Sequence, residues 1–173
     1  MPKPEEIFLQ PGEHHFGDRN TRIRTILGTC VSLTFWHPIL LLGGMCHFML
    51  PSRGEERRRI DPPLPDGRYA DEAIDILLKK IASIGTSHRE YQVKLFGGGN
   101  MFPSRNGSHV GMKNVEAARK LVLDHGLNCV AEHLGDCGYR NVIFDISNGN
   151  VWVKHAAILT GSEDRRVQCN ASA

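Results

Sequence analysis

"ILGTCVSLTFWHPILLLGGMCHFMLP", residues 26–51, is an apolar run interrupted by a thiol, Cys30, and an imidazole, His47. Residues 26–36 alternate, with Leu27, Val31, Leu33 and Phe35 on one face, which is a strand pattern. Pro38 suits the second position of a β-turn, and residues 40–50 read as a second strand. With the turn centred between Pro38 and Ile39, opposed residues have numbers that sum to a constant. His37 then faces Leu40, Phe35 faces Leu42, Val31 faces Cys46, and Cys30 faces His47. Directly opposed side chains share a face with Cβ atoms about 4.5–5.5 Å apart.

The hydrophobic pattern supports this pairing. One face collects Leu27, Val31, Leu33 and Phe35 with Leu42, Cys46, Phe48 and Leu50, and reads as core. The other collects Cys30, Ser32 and Thr34 with Gly43, Met45 and His47, and is mixed and open enough for a site. A slip of one residue would set apolar positions against polar ones. Cys46 is thereby expected as a small buried hydrophobe. Cys30, which follows the permissive Gly28, is expected as a nucleophile whose pKa a nearby imidazolium lowers. A third group usually orients the imidazole. Thr25, Asn100, Asn114 and Asp136 are candidates by type, and spacing selects none of them.

The rest of the chain supplies the frame. "YADEAIDILLKKIASIG" carries Ala73, Ile74, Leu77, Leu78 and Ile81 at helical spacing, acids early, lysines late and Gly85 as a stop. "NVEAARKLVLDHG" reads as a second helix, with Asn114 as N-cap and Gly126 at the end. "YQVKLFGGGNMF" is a strand entering a glycine turn. "LNCVAEHLG", "RNVIFDIS" and "NVWVKHAAIL" are strands, the last two joined by a hairpin at Asn148-Gly149. Few helices and several hairpins predict an α+β fold, a layered α/β sandwich with antiparallel or mixed sheets and two main helices. Residues 1–160 read as one domain and 161–173 as a polar, flexible tail.

Composition narrows function. The 173 residues are 40% hydrophobic and 23% charged with net charge +2. That charge is too small to point to nucleic acid or a membrane surface. The N-terminal twenty residues lack the apolar core of a signal peptide, and Pro38 with two histidines argues against a spanning helix in the run above. A cytoplasmic protein is expected. Five cysteines, Cys30, Cys46, Cys129, Cys137 and Cys169, include no CxxC pair, and no disulfide framework is expected in a reducing compartment. Cys129, His133 and Cys137 have the spacing of one helical face, but their segment reads as a strand, so a zinc site is the lesser reading. His14 and His15 read as surface residues. The Gly97–Gly99 turn lacks the lysine and hydroxyl residue of a P-loop. "RGEERRR", Arg53 to Arg59, lies in the proline-rich stretch Pro51–Tyr69, and Arg57, Arg58 and Arg59 are candidate substrate contacts.

"TILGTCVSLTFW", "GGMCHFMLP", "YADEAIDILLKKI", "KLFGGGNMF", "VGMKNVEAARKLVLDHGL" and "GDCGYRNVIFDISNGNVWVK", in this order, resemble the chemoreceptor glutamine deamidases of the CheD family over about residues 7–154. Thr29 stands where the family usually has serine, Gly99 where alanine is common, and Cys137 where a second glycine is common. The resemblance implies a fold similar to bacterial toxin deamidases. It also implies hydrolysis of glutamine side-chain amides in methyl-accepting chemotaxis receptors, with no cofactor and no metal. The family's nucleophile, base and threonine match Cys30, His47 and Thr25. Backbone N–H groups of Thr29 and Cys30 are candidate oxyanion donors. A CheC-type phosphatase partner and a monomeric state are further expectations. The alternative is a non-catalytic regulator that binds receptors or that phosphatase.

Overall fold

The computed structural model describes residues 3–55, 64–102 and 109–157. Two short strands, β1 (Glu5–Phe8) and β2 (His14–Gly17), precede β3 (Thr21–Leu27), β4 (Val31–His37) and β5 (Leu42–Phe48). Helix α1 (Ala70–Ser83), a 3-10 turn (His88–Glu90), β6 (Gln92–Gly97) and helix α2 (Val110–Asp124) follow. The chain continues through β7 (Asn128–Leu134), β8 (Tyr139–Asp145) and β9 (Asn150–Ala156). One sheet has the order β1-β3-β8-β9 and the other β2-β5-β4-β6-β7. β1 runs parallel to β3 and β6 parallel to β7, and the remaining pairs are antiparallel, so both sheets are mixed.

Three layers result. α1 and α2 cover one face of the five-stranded sheet, with Ile74, Leu77 and Val115 packed on Val31, Leu33, Phe35 and Phe48. The four-stranded sheet covers the other face, where Ile23, Leu27, Val142 and Phe144 meet Met45 and Phe96. β4 is central and buried on both faces, so Ser32 and Thr34 on one side are sealed as fully as Val31, Leu33 and Phe35 on the other. Each large apolar side chain sealed here contributes about 1.5–3 kcal/mol of burial. α1 presents Ala70, Ala73, Ile74, Leu77 and Ile81 to the sheet, with Asp71 and Glu72 in its first turn and Lys80 in its last, as its pattern predicts.

Four expectations are corrected. The alternating run 26–36 is not one strand. The chain leaves the four-stranded sheet after Leu27 and enters the five-stranded one at Val31, so Gly28–Cys30 is a crossover between sheets. Leu27 and Val31 accordingly lie in different cores. The β4–β5 loop has four residues, not two. The N–H groups of Ile39 and Leu40 donate to Nδ1 of His37, that of Leu41 donates to the His37 carbonyl, and Leu41 takes φ 53°. The pairing therefore shifts by two: Ser32 faces His47, and Leu33 faces Cys46. An even shift keeps every residue of β4 and β5 on its expected face, so Cys46 is a core residue but Cys30 is not opposite His47.

Asn114 does not cap α2. The helix begins at Val110, four residues earlier, and Asn114 is buried within it. The N-terminal segment contributes β1 and β2 through backbone ladders on β3 and β5. Finally, Cys30, Cys46 and Cys129 are free, whereas Cys137 is disulfide-bonded. Arg57, Arg58, Arg59, Cys169 and the 161–173 tail lie outside the described residues. Of the basic stretch, Arg53 is described, and it is tied bidentately to Glu72 of α1 at 2.6 Å on both bonds.

Candidate active site

His47 projects from β5 into the layer between the sheets and is 2% exposed. Thr25 reaches it from β3 in the opposite sheet, with Oγ1 2.8 Å from Nδ1 of the ring. The same hydroxyl donates to the Leu9 carbonyl at 2.8 Å. Its single hydrogen is thus committed, and its oxygen must accept from Nδ1–H. The ring is held as the Nδ1–H tautomer, with the lone pair on Nε2. That atom is buried and has no partner among the described residues. Burial pushes the His47 pKa from 6.5 down to about 4, against the Leu9 carbonyl and the charge of Glu13, which favour protonation. At neutral pH the imidazole is an uncharged base.

Backbone bonds hold the ring's own strand. The His47 N–H donates to the Glu13 carbonyl at 3.0 Å, and the His47 carbonyl accepts from the Gly12 N–H at 2.7 Å. Three separate pieces of chain, β5, the 9–13 segment and β3, therefore fix one imidazole.

Cys30 ends the crossover from β3. It is half-buried and packs against the inter-sheet cluster, on the side where His47 projects. It stands two residues before Ser32, the residue opposite His47. On a regular ladder such diagonal neighbours are about 7–8 Å apart. Cys30 and His47 are not hydrogen-bonded to each other, so proton transfer requires the thiol to swing toward the ring. Burial raises the thiol pKa, and a hydrogen bond with the Thr29 side chain opposes that rise. The expected imidazolium and lowered thiol are therefore corrected. A protonated thiol stands near a neutral imidazole, and the reason is desolvation of both.

The glycine turn after β6 carries Cys30 from below. The Gly98 N–H donates to the Cys30 carbonyl and the Gly99 N–H to the Gly28 carbonyl, each at 2.8 Å. Gly97 has φ 110°, and a Cβ there would lie 2.2 Å from the Cys30 carbonyl oxygen. Only glycine fits this approach. Among the described residues, the N–H groups of Thr29 and Cys30 donate to no backbone or side-chain acceptor, so both are free for a ligand. An open pocket lined by Gly98, Gly99, His109, Gly111, Met112 and Asp136 adjoins the turn.

Of the four candidates for orienting His47, Thr25 does so. Asn100 is engaged elsewhere, its Oδ1 accepting from the Phe102 N–H. The Asp136 carbonyl accepts from the Asn100 N–H. Asn114 bonds to backbone carbonyls near the site. Sequence reasoning missed Leu9, whose part is a backbone carbonyl and leaves no side-chain signal. It also missed Ser32, whose buried hydroxyl faces His47 with no partner. The zinc trio is dispersed: Nδ1 of His133 accepts from Arg140, and Cys137 is disulfide-bonded. No cluster of three metal-binding side chains occurs among the described residues.

A layered α+β domain that sets a half-buried thiol near a hydroxyl-braced neutral imidazole, with free backbone N–H groups beside the sulfur, has the build of a thiol-dependent acyl-transfer enzyme. Residues 49–155 match the model of the family described as CheD chemotactic sensory transduction. A Pseudomonas savastanoi pv. phaseolicola protein, "Probable chemoreceptor glutamine deamidase CheD", is 53% identical over 154 residues, 87% of this chain and 84% of its own. A Pseudomonas fluorescens protein of the same description is 46% identical over 98% of both chains, a span that takes in β3 to β5. One from Leptospira interrogans, "Probable chemoreceptor glutamine deamidase CheD 1", is 36% identical over 86% of this chain. The chain belongs to the CheD family.

Proposed function

We propose that this chain is a protein-glutamine deamidase that hydrolyses glutamine side-chain amides of methyl-accepting chemotaxis receptors to glutamate and ammonia. The observation that carries the mechanism is the Thr25 hydroxyl between the Leu9 carbonyl and Nδ1 of His47, which leaves Nε2 as the proton acceptor. The thiol of Cys30 gives its proton to Nε2 as the sulfur attacks the amide carbon. The carbonyl oxygen becomes an oxyanion beside the N–H groups of Thr29 and Cys30. Collapse expels the nitrogen, which takes the proton from Nε2 and leaves as ammonia. Water then gives a proton to Nε2 and attacks the thioester, releasing glutamate and the thiol. Burial keeps both groups neutral at the start, so the proton moves as the sulfur attacks.

Receptor signalling domains lie in the cytoplasm, which is the location this substrate requires. Among the described residues, no helix is long and apolar enough to cross a membrane. Docking on receptors through Arg57, Arg58 and Arg59 and a monomeric state belong to the same reading, the docking resting on the positive charge of that stretch, and a CheC-type phosphatase partner rests on the family resemblance.

Mass spectrometry of receptor peptides after incubation with wild type and Cys30→Ala tests the reading. Glutamine-to-glutamate conversion by wild type and none by Cys30→Ala is expected. Equal conversion by both would end the proposal, and binding without conversion by either would favour a non-catalytic regulator.

A further inference from the structure

The β4–β5 ladder ends at the Val31–Phe48 pair, one residue after Cys30 and one after His47. Beyond that pair the two segments are joined by a side chain. Asn114, fully buried in α2, donates from Nδ2 to the Thr29 carbonyl at 3.0 Å and to the Met49 carbonyl at 2.8 Å. Two carbonyl acceptors settle the orientation of the amide, because turning it over would set three oxygens together. Its Oδ1 is buried and accepts from no group among the described residues. The amide therefore spends both N–H bonds on the Thr29 and Met49 carbonyls, beyond the end of the ladder, while its own oxygen stays unpaired.

The Thr29 carbonyl and the Cys30 N–H belong to one planar trans peptide, so they point in opposite directions. Pinning the carbonyl toward α2 turns the Cys30 N–H away from the helix, where it meets no acceptor among the described residues. Donation to the carbonyl also polarises the peptide and strengthens that N–H as a donor. The second arm, on Met49, holds the chain that follows His47.

We propose that Asn114 is a positioning residue of the deamidase site, holding the Thr29–Cys30 peptide so that the Cys30 N–H faces the oxyanion formed from the substrate glutamine. This rests on the Cys30 chemistry proposed above. Asn114 touches neither substrate nor sulfur. It acts through the backbone, on a step that alkylation of the thiol does not include.

The test compares Asn114→Ala and Asn114→Ser with wild type on a receptor fragment. Loss of one oriented oxyanion donor lowers kcat on the order of 10²-fold. KM is expected to stay within about twofold, and the Cys30 alkylation rate by iodoacetamide within a few-fold, because neither uses the oxyanion donor. Asn114→Ser, which keeps one hydroxyl donor, falls between wild type and Asn114→Ala. Wild-type kcat in Asn114→Ala, or kcat and alkylation falling together in the folded variants, overturns the inference. A measurement on wild type covers the case in which the variants do not fold. A receptor peptide carrying an aldehyde in place of the glutamine amide forms a hemithioacetal on Cys30, and the Cys30 amide proton should move downfield. An unmoved resonance overturns the inference. Conversion by Cys30→Ala would instead defeat the deamidase reading itself. A dead Cys30→Ala beside fully active Asn114 variants defeats only this inference.

Discussion

Replacing Thr25 by valine keeps the shape of the side chain and deletes its hydroxyl. In the native protein that hydroxyl makes two bonds of 2.8 Å, one donated to the Leu9 carbonyl and one accepted from Nδ1 of His47. Both partners are shielded from water, and an unpaired buried polar group costs about 1–3 kcal/mol. The Leu9 carbonyl lies close enough to the ring to favour its protonation, so carbonyl and Nδ1–H can partly satisfy each other in the variant. A net loss of about 1–3 kcal/mol of stability is expected, or roughly 2–4 °C in Tm per kcal/mol for a chain of this size. Catalysis loses the bias that keeps the lone pair on Nε2. A bias of about 1.4–2 kcal/mol, the scale of one to two neutral hydrogen bonds, corresponds to roughly 10- to 30-fold in kcat/KM. Ammonia release from a receptor fragment measures the rate, and ¹⁵N shifts of His47 report which ring nitrogen carries the proton. Thr25→Ser keeps the hydroxyl and should stay close to wild type. Thr25→Val within twofold of wild type, or Thr25→Ser falling as far as Thr25→Val, would refute the assignment of Thr25 as the tautomer brace.

Three more outcomes follow from the same geometry. The His47 pKa is 6.5 when exposed and about 4 when folded, so the unfolded chain binds the extra proton between those values. Stability is fully present above pH 6.5 and falls by roughly 3 kcal/mol as pH drops to about 4; denaturant melts across this window should show the loss, and His47→Gln should flatten it. Burial raises the thiol pKa of Cys30 and pushes that of Cys46 up to about 12; in the native protein at neutral pH, mass-mapped iodoacetamide labelling should be slow at Cys30 and absent at Cys46, and rapid modification of Cys46 would contradict its core placement. Gly97→Ala places a methyl 2.2 Å from the Cys30 carbonyl oxygen at φ 110°; a stability loss of at least about 1–3 kcal/mol and a matching loss of turnover are expected, and a wild-type melting curve with full activity would show that the turn does not support Cys30.

Much of the fold was legible because its signals are local. α1 announces itself through Ala73, Ile74, Leu77 and Ile81 at helical spacing, and the placement of Cys46 in the core followed from strand parity alone. Parity is also why the error in the hairpin was harmless to face and fatal to partner. Moving the pairing by two residues leaves Cys30, Ser32 and His47 on one side, yet replaces Cys30 by Ser32 opposite the ring. The cause, Nδ1 of His37 gathering two N–H groups into a four-residue loop, has no signature in hydrophobic periodicity.

The chain's own order of residues determined which side chains are chemical and on which face of a strand each stands, because alternation is a property of the backbone at every step. Only the tertiary structure decided which of them meet. Thr25 and His47 belong to different sheets, the Leu9 carbonyl comes from the N-terminal segment, and Asn114 reaches Thr29 from a helix 85 residues away in sequence. Contacts across layers depend on how sheets stack and where the chain crosses between them. At Gly28–Cys30 that crossing occurs inside what reads as a single uninterrupted strand.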